Sequence, residues 1–151
     1  MAFGRYTGPR RAPSAGAFRS GLEEKNSELL NKHKVEYSFE QHWINYEIPS
    51  RVAKYLPDFI LSNGIIVECK GIFETVDRQK HLLLREQHPS LDIRLVFSSS
   101  KAKLYKGSPT TYGMWCEKHG ILYADKLVPL PWLKEKRKEI PEGILKEKGV
   151  K

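Results

Sequence analysis

The sequence predicts a mixed α/β fold in which helices cover a small sheet. Apolar and polar residues alternate in several short segments, as is typical of strands. Asn63-Gly64 joins two such segments and is a strong signal for a β-hairpin turn. Helical stretches with recognisable start and stop residues lie on both sides of this hairpin. A length of 151 residues favours one domain built on this plan.

The first helix is expected to begin after Ser20 and to run to about Lys34. Ser20 and Glu23 have the spacing of a capping box, in which serine caps the helix and glutamate reaches back to the cap. Strands follow wherever apolar residues alternate with polar ones or run together, at 35–39, 43–48, 58–61 and 65–70. Residues 49–56 are less regular and are expected to form a connector.

The second half of the chain is expected to hold two more helices and two more strands. Pro89 ends the first of these helices, while Ser108-Pro109 and Gly120 have the pattern of a helix start and a C-cap. The expected helices cover 74–88 and 108–120, and the expected strands cover 91–97 and 121–123.

Basic residues dominate both ends of the chain and give a formal net charge of +8. Such a charge favours polyanionic partners, since neutralised phosphates release counterions. Residues 1–19 contain four arginines and no acid, which predicts a flexible basic arm, although a terminus without a role is the alternative. Residues 126–151 are expected to form a basic C-terminal extension, leaving 20–125 as the central domain.

Several classes of protein are disfavoured. Cys69 and Cys116 are too few for a disulfide framework or a structural zinc site. No apolar run approaches the roughly 20 residues that span a bilayer, and the N-terminus lacks the apolar core of a secretion signal. The glycine-rich loop of nucleotide-binding proteins is missing. We therefore expect a cytoplasmic protein with no membrane partner and no nucleotide cofactor.

The most informative residues are Pro57-Asp58 and, ten residues later, Glu68-Cys69-Lys70. The Asn-Gly turn between the two strands should place Asp58 and Glu68 at the same end of the hairpin. Because strand side chains alternate, Glu68 and Lys70 should share a face that Cys69 does not. Two close carboxylates repel each other, and magnesium or manganese relieves that repulsion. An ordinary charged surface hairpin is the alternative.

This arrangement suits phosphodiester hydrolysis. A metal held by Asp58 and Glu68 can activate water and stabilise the charge that grows on a phosphate. Lys70 could orient that water, help to deprotonate it, or stabilise the transition state. Together with the basic charge, the pattern predicts a metal-dependent DNA endonuclease.

The Pro-Asp…Glu-Xaa-Lys pattern resembles the signature of the restriction-endonuclease-like nucleases. Nearly the whole chain is also similar to the endonuclease I family of the T-odd bacteriophages, whose members resolve four-way DNA junctions. The similarity is carried by residues 16–23, 57–59, 80–89, 96–100 and 103–110. The resemblance implies a restriction-endonuclease-like mixed sheet flanked by helices. It also implies a function, the resolution of Holliday junctions and other branched DNA by paired nicks in the infected bacterial cell.

The resemblance adds residues to the site. It implies that Glu23 joins the catalytic group, and that Glu36 matches a family carboxylate implicated in activity. Glu23 could instead serve only the capping box. It implies magnesium, which manganese could replace, with two ions per site. The implied catalytic residues are Glu23, Asp58, Glu68 and Lys70, and the implied metal ligands are Glu23, Asp58, Glu68 and the backbone carbonyl of Cys69.

An intertwined homodimer is implied as well, with the chain crossing between two lobes at a bridge at about 47–56. Glu23 would then come from one subunit and the other catalytic residues from its partner. DNA contacts are expected from the arm and from the loop after the strand at 91–97. The candidates are Arg10, Arg11, Arg19, Ser98, Ser99, Ser100, Lys101, Lys103 and Lys106. A sequence-specific nuclease of the same fold and a non-catalytic architectural dimer are the alternatives.

Overall fold

The computed structural model describes residues 20–148. The candidate DNA-binding residues Arg10, Arg11 and Arg19 lie outside this range. In chain order the elements are α1 Gly21–Lys32, β1 Tyr37–Phe39, β2 His42–Ile48, β3 Arg51–Tyr55, β4 Phe59–Leu61, β5 Ile65–Lys70, α2 Thr75–Gln87, β6 Asp92–Phe97, α3 Tyr112–Lys118, β7 Tyr123–Asp125, α4 Leu130–Leu133 and β8 Leu145–Glu147. Among these residues, no helix is long and apolar enough to cross a membrane.

Two sheets organise the described chain. The larger has the strand order β1-β4-β5-β6-β7, and the smaller has the order β3-β2-β8. Pairing in the larger sheet is antiparallel from β1 to β5 and parallel from β5 to β7. The mixed α/β fold predicted from the sequence is confirmed.

The predicted hairpin at Asn63-Gly64 is also confirmed. Strands β4 and β5 pair antiparallel, with Phe59 opposite Val67 and Ile60 opposite Ile66. Gly64 has a φ of +88°, which a side chain would strain, and an added Cβ there would lie 2.1 Å from the carbonyl oxygen of Lys138. Turn geometry and close packing therefore both require glycine.

The two faces of the hairpin bury different cores. Phe59, Leu61, Ile65 and Val67 pack with Leu30 of α1 on one side. The alternate residues of the hairpin, Ile60 and Ile66, point to the opposite face. There they form a second core with the smaller sheet and α2. Because side chains alternate along a strand, residues 58 and 68 lie on this second face. The carboxylates therefore project from an apolar base.

Residues 51–55 form strand β3, so the expectation of an irregular connector throughout 49–56 is wrong. Ala53 and Tyr55 are buried and alternate with the exposed Val52 and Lys54. The strand pairs antiparallel with β2, beginning with Arg51 opposite Ile48. Sequence patterning missed it because the inward side carries the small Ala53 and the outward side carries the apolar Val52.

The third helix begins at Tyr112, four residues after Ser108, the predicted start. Thr111 is its N-cap and accepts a hydrogen bond from the backbone N–H of Met114. Ser108 instead bonds in both directions to the backbone of Thr110, which makes a turn there. The predicted end is confirmed by Gly120, which follows the helix with a φ of +67°. The strand predicted at 121–123 lies at Tyr123–Asp125.

The segment from residue 126 to residue 148 packs against the rest of the chain. Val128 and Trp132 are buried in the core beside α1, and strand β8 pairs with β2. Buried Arg94 of β6 forms ion pairs with Asp92 and with Glu135 of this segment. Apolar burial and a charge network thus tie the segment to both sheets.

Candidate active site

Asp58 and Glu68 meet at the open end of the β4–β5 hairpin. The pairing of Phe59 with Val67, continued by one residue, sets them opposite each other, as the sequence predicted. Their exposed fractions are only 6% and 4%. The backbone N–H of Cys69 donates a 2.9 Å hydrogen bond to Oδ2 of Asp58. The hairpin thus holds two carboxylic acids side by side, both almost completely buried from solvent.

Burial strongly disfavours ionisation of this pair. It is the largest cause that raises the pKa of Asp58, followed by the charge of Glu68, while the Cys69 N–H partly offsets both. Burial raises the pKa of Glu68 as well, against lowering contributions from Asp58, Lys80 and Lys70. Without a further cation, the two acids favour a state that retains a proton. A divalent cation would satisfy the same charges.

Glu23 reaches this site from the first turn of α1. The hydroxyl of Ser20 accepts a 3.1 Å hydrogen bond from the Glu23 backbone N–H, which makes the predicted N-cap. The same hydroxyl lies 3.2 Å from Oε2 of Glu23. Carboxylate oxygens of Glu23, Glu40 and Asp58 nevertheless all lie within 4.8 Å of one another. Glu23 therefore supports the helix start and belongs to the acidic cluster at once.

Glu40 is a member of the cluster that the sequence did not reveal. It directly follows β1, and its backbone N–H donates a 3.3 Å hydrogen bond to the carbonyl of Asp58. Its φ of +50° is unusual for a residue with a side chain, so the surrounding contacts must stabilise this conformation. Only the long-range pairing of β1 with β4 brings Glu40 to Asp58. Within the chain alone, nothing marks it out.

Glu36 lies elsewhere. Its backbone carbonyl accepts a hydrogen bond from Ser62, at the turn end of β4, and the residue is exposed. Glu36 and Glu40 are four positions apart on either side of strand β1, which corresponds to about 13 Å at 3.3 Å per residue. Its carboxylate is absent from the acidic cluster found among the described residues. Position therefore favours Glu40 over Glu36 as a group that acts with Asp58.

The cluster fits a hard divalent cation. Magnesium binds oxygen at about 2.1 Å, so two ligands on opposite sides of one ion lie about 4.2 Å apart. Neighbouring ligands of the same octahedral ion lie about 3.0 Å apart, so carboxylate oxygens separated by up to 4.8 Å would have to move closer together to share one ion. The thiol of Cys69 packs toward the core beside α1, away from Glu68 and Lys70, as strand alternation predicted. Only its backbone is placed among the carboxylates.

Lys70 completes the site from the end of β5. Its Nζ lies 3.0 Å from Oδ1 of Asp77, whose other oxygen, Oδ2, accepts a hydrogen bond from the backbone N–H of Glu74 at the start of α2. Burial alone would lower the pKa of Lys70, but Glu68 and Asp77 outweigh it, so the pKa is raised. The ammonium is therefore charged at neutral pH. Asp77, a partner that sequence reasoning missed, fixes its position.

The candidate DNA-binding loop adjoins this site. Strands β5 and β6 are parallel, so Lys70 and the loop after Phe97 leave the sheet at the same edge, and the Ser98 N–H donates to the carbonyl of Lys70. Ser100 is buried, and both its hydroxyl and its backbone N–H bond to Asp125, which indicates a structural role. The candidates that are exposed here are Ser98, Ser99, Lys101, Lys103 and Lys106.

Comparison with known proteins gives a consistent result. The model of the family described as phage endonuclease I matches residues 1–151. A protein named endonuclease I, from Escherichia phage T7, is 56% identical over 144 residues, which are 95% of this chain and 97% of that protein. Endodeoxyribonuclease 1 of Enterobacteria phage T3 is 57% identical over 142 residues, 93% of each chain. The chain therefore belongs to the phage endonuclease I family.

Proposed function

We propose that this protein is a metal-dependent endodeoxyribonuclease that resolves four-way junctions and other branched DNA by paired nicks. The observation that carries the proposal is the buried acidic cluster at one end of the β4–β5 hairpin, beside the charged Lys70. The names of the T7 and T3 relatives, both endonucleases, support the same chemistry. The substrate would be DNA inside the infected bacterial cell.

The metal ligands would be Glu23, Asp58, Glu68 and the carbonyl of Cys69, and we add Glu40. These oxygens suit magnesium, which manganese could replace, and a group of this size could hold two ions. When bound, such an ion supplies activated water and stabilises negative charge on the phosphate. The protein contributes the spacing: Asp58 is fixed by the Cys69 N–H, and Glu23 by the start of α1.

Lys70 would act as a charged group. Because Glu68 and Asp77 keep it protonated, it is poorly suited to removing a proton from water. A fixed ammonium beside the scissile phosphate instead stabilises the charge that develops in the transition state. Of the roles considered from the sequence, transition-state stabilisation fits the structure best.

The restriction-endonuclease-like fold and the intertwined homodimer belong to the same proposal. Residues 20–48 carry Glu23 and are joined to the rest of the site by a short turn between β2 and β3. Opening this turn would let the segment exchange with a second copy and form the same contacts between subunits. The turn lies within the expected bridge at about 47–56. Two equivalent sites would then face the two strands that a junction resolvase must cut.

The test is cleavage of matched substrates in magnesium. A four-way junction and linear duplexes of the same arm sequences would be incubated with the purified protein. Paired nicks near the branch, with the duplexes spared, are expected. Cleavage of one linear site regardless of branching would favour a sequence-specific nuclease. Binding without cleavage in magnesium and in manganese would contradict the proposal and favour an architectural dimer.

A further inference from the structure

A buried tyrosine lies beneath the acidic cluster with its hydroxyl unsatisfied. Tyr55 ends strand β3 and is 1% exposed. Its hydroxyl completes no hydrogen bond of good geometry within the described part of the chain. Burying a hydroxyl in this way costs free energy, which phenylalanine at the same position would avoid. A partner that engages the hydroxyl in another state of the site would offset this cost.

The carboxylates of Glu68 and Asp58 are the charged groups that act most strongly on this hydroxyl. Tyr55 packs in the same core as Ile60 and Ile66, the face of the hairpin from which residues 58 and 68 project. Burial and then the charge of Glu68 are the main causes that raise the pKa of Tyr55, and its hydroxyl in turn lowers the pKa of Glu68. The two groups are therefore close, although the bond between them is incomplete.

The ring of Tyr55 is held on two sides. The ammonium of Lys80 lies 5.3 Å from its centroid, and the His81 ring packs against it edge-on with 5.5 Å between centroids. Burial lowers the pKa of His81 to about 3, so the imidazole that packs against Tyr55 is neutral. Backbone pairing of Tyr55 with Ile44 fixes the strand. With ring and backbone both fixed, the carboxylate of Glu68 is the group that can adjust to complete the bond.

We propose that Tyr55 is a positioning residue whose hydroxyl donates to the carboxylate of Glu68 and fixes the orientation in which Glu68 binds a divalent cation. The inference rests on the proposed metal-dependent function. Carboxylates that bind metal are commonly oriented by such outer hydrogen bonds. In the metal-free site the Glu68 carboxylate interacts with Asp58, so a cation that replaces this interaction would free an oxygen for Tyr55.

The test is the affinity for Mn²⁺ in the absence of DNA, measured by isothermal titration calorimetry. The variant is Tyr55→Phe, and the matched control is Tyr46→Phe, which removes a hydroxyl from the same core. Loss of an outer hydrogen bond to a ligand typically weakens metal binding by about 10- to 100-fold, which is the expected effect of Tyr55→Phe. Tyr46→Phe should bind Mn²⁺ like the wild type.

The unfolding temperature without metal separates positioning from folding. Because the Tyr55 hydroxyl is unsatisfied, Tyr55→Phe should unfold at the wild-type temperature or above it. Wild-type Mn²⁺ affinity in Tyr55→Phe would overturn the inference while leaving the proposed function intact. A lower unfolding temperature or failure to fold would assign the hydroxyl to the fold and also overturn it. No Mn²⁺ binding by the wild type would overturn the metal-dependent function and the inference together.

Discussion

Replacing Asp58 with asparagine should stabilise the protein in the absence of metal. Carboxylate oxygens of Glu23 and Glu40 lie within 4.8 Å of those of Asp58. At an effective dielectric constant of about 20, two unit charges at that distance repel by about 3.5 kcal/mol. Asparagine keeps an oxygen to accept the Cys69 N–H but carries no charge. Allowing for partial protonation of the cluster, we expect a gain of about 2 kcal/mol in the free energy of unfolding.

The effect should depend on pH. Burial and Glu68 raise the pKa of Asp58 in the folded state above its unfolded value. The folded state then holds the proton more tightly, so stability is greatest below the unfolded pKa and is lost as the pH rises toward the folded one. Asp58→Asn escapes this loss. Its advantage should therefore be large at pH 8 and small near pH 4.

The assay is urea unfolding with a chelator at both pH values, with Asp92→Asn as the matched control. Asp92 forms an ion pair with the buried Arg94, which lowers the pKa of this carboxylate against the effect of burial. Asp92→Asn should therefore destabilise the protein at pH 8, opposite in sign to Asp58→Asn. A loss of stability for Asp58→Asn at pH 8 without metal would refute the idea of a repulsive, cation-dependent cluster.

Three further predictions concern the catalytic roles. Glu40→Gln should weaken Mn²⁺ binding and cleavage, whereas Glu36→Gln should leave both unchanged. If Glu36→Gln instead weakened Mn²⁺ binding more than Glu40→Gln, the supporting carboxylate would be Glu36. Lys70→Met should slow junction cleavage by about 10²-fold or more, which is typical when one group that stabilises the transition state is lost, while junction binding is retained. Rapid cleavage by Lys70→Met would exclude the role assigned to the ammonium. Inactive Glu23→Ala and Glu68→Ala subunits should regain activity when refolded together, and inactivity of confirmed heterodimers would contradict the exchanged dimer.

Local sequence signals predicted the geometry at the centre of the candidate site. Asn63-Gly64 fixed the hairpin register, and that register sets Asp58 opposite Glu68. Strand alternation then placed Lys70 on the same face as Glu68. These features depend on residues close together in the chain, so turn chemistry and side-chain periodicity suffice to predict them.

The residues that sequence reasoning missed depend on long-range pairing. Glu40 joins the site only because β1 pairs with β4, and Tyr55 only because β3 pairs with β2. Asp77 reaches Lys70 across a helix start. An acid or a tyrosine has the same local pattern whether or not a distant strand brings it to a metal site. Ser100 shows the converse, since a residue in an apparently open loop is buried against Asp125.

The most direct measurement is a crystal structure of the full chain soaked in Mn²⁺, with anomalous scattering used to locate the ion. We expect an anomalous peak between the Asp58 carboxylate and the backbone carbonyl of Cys69. Glu68 should be a further ligand, together with Glu23 or Glu40. A peak elsewhere in crystals of active protein, or no peak at a concentration that supports cleavage, would contradict a catalytic metal site at the end of the β4–β5 hairpin.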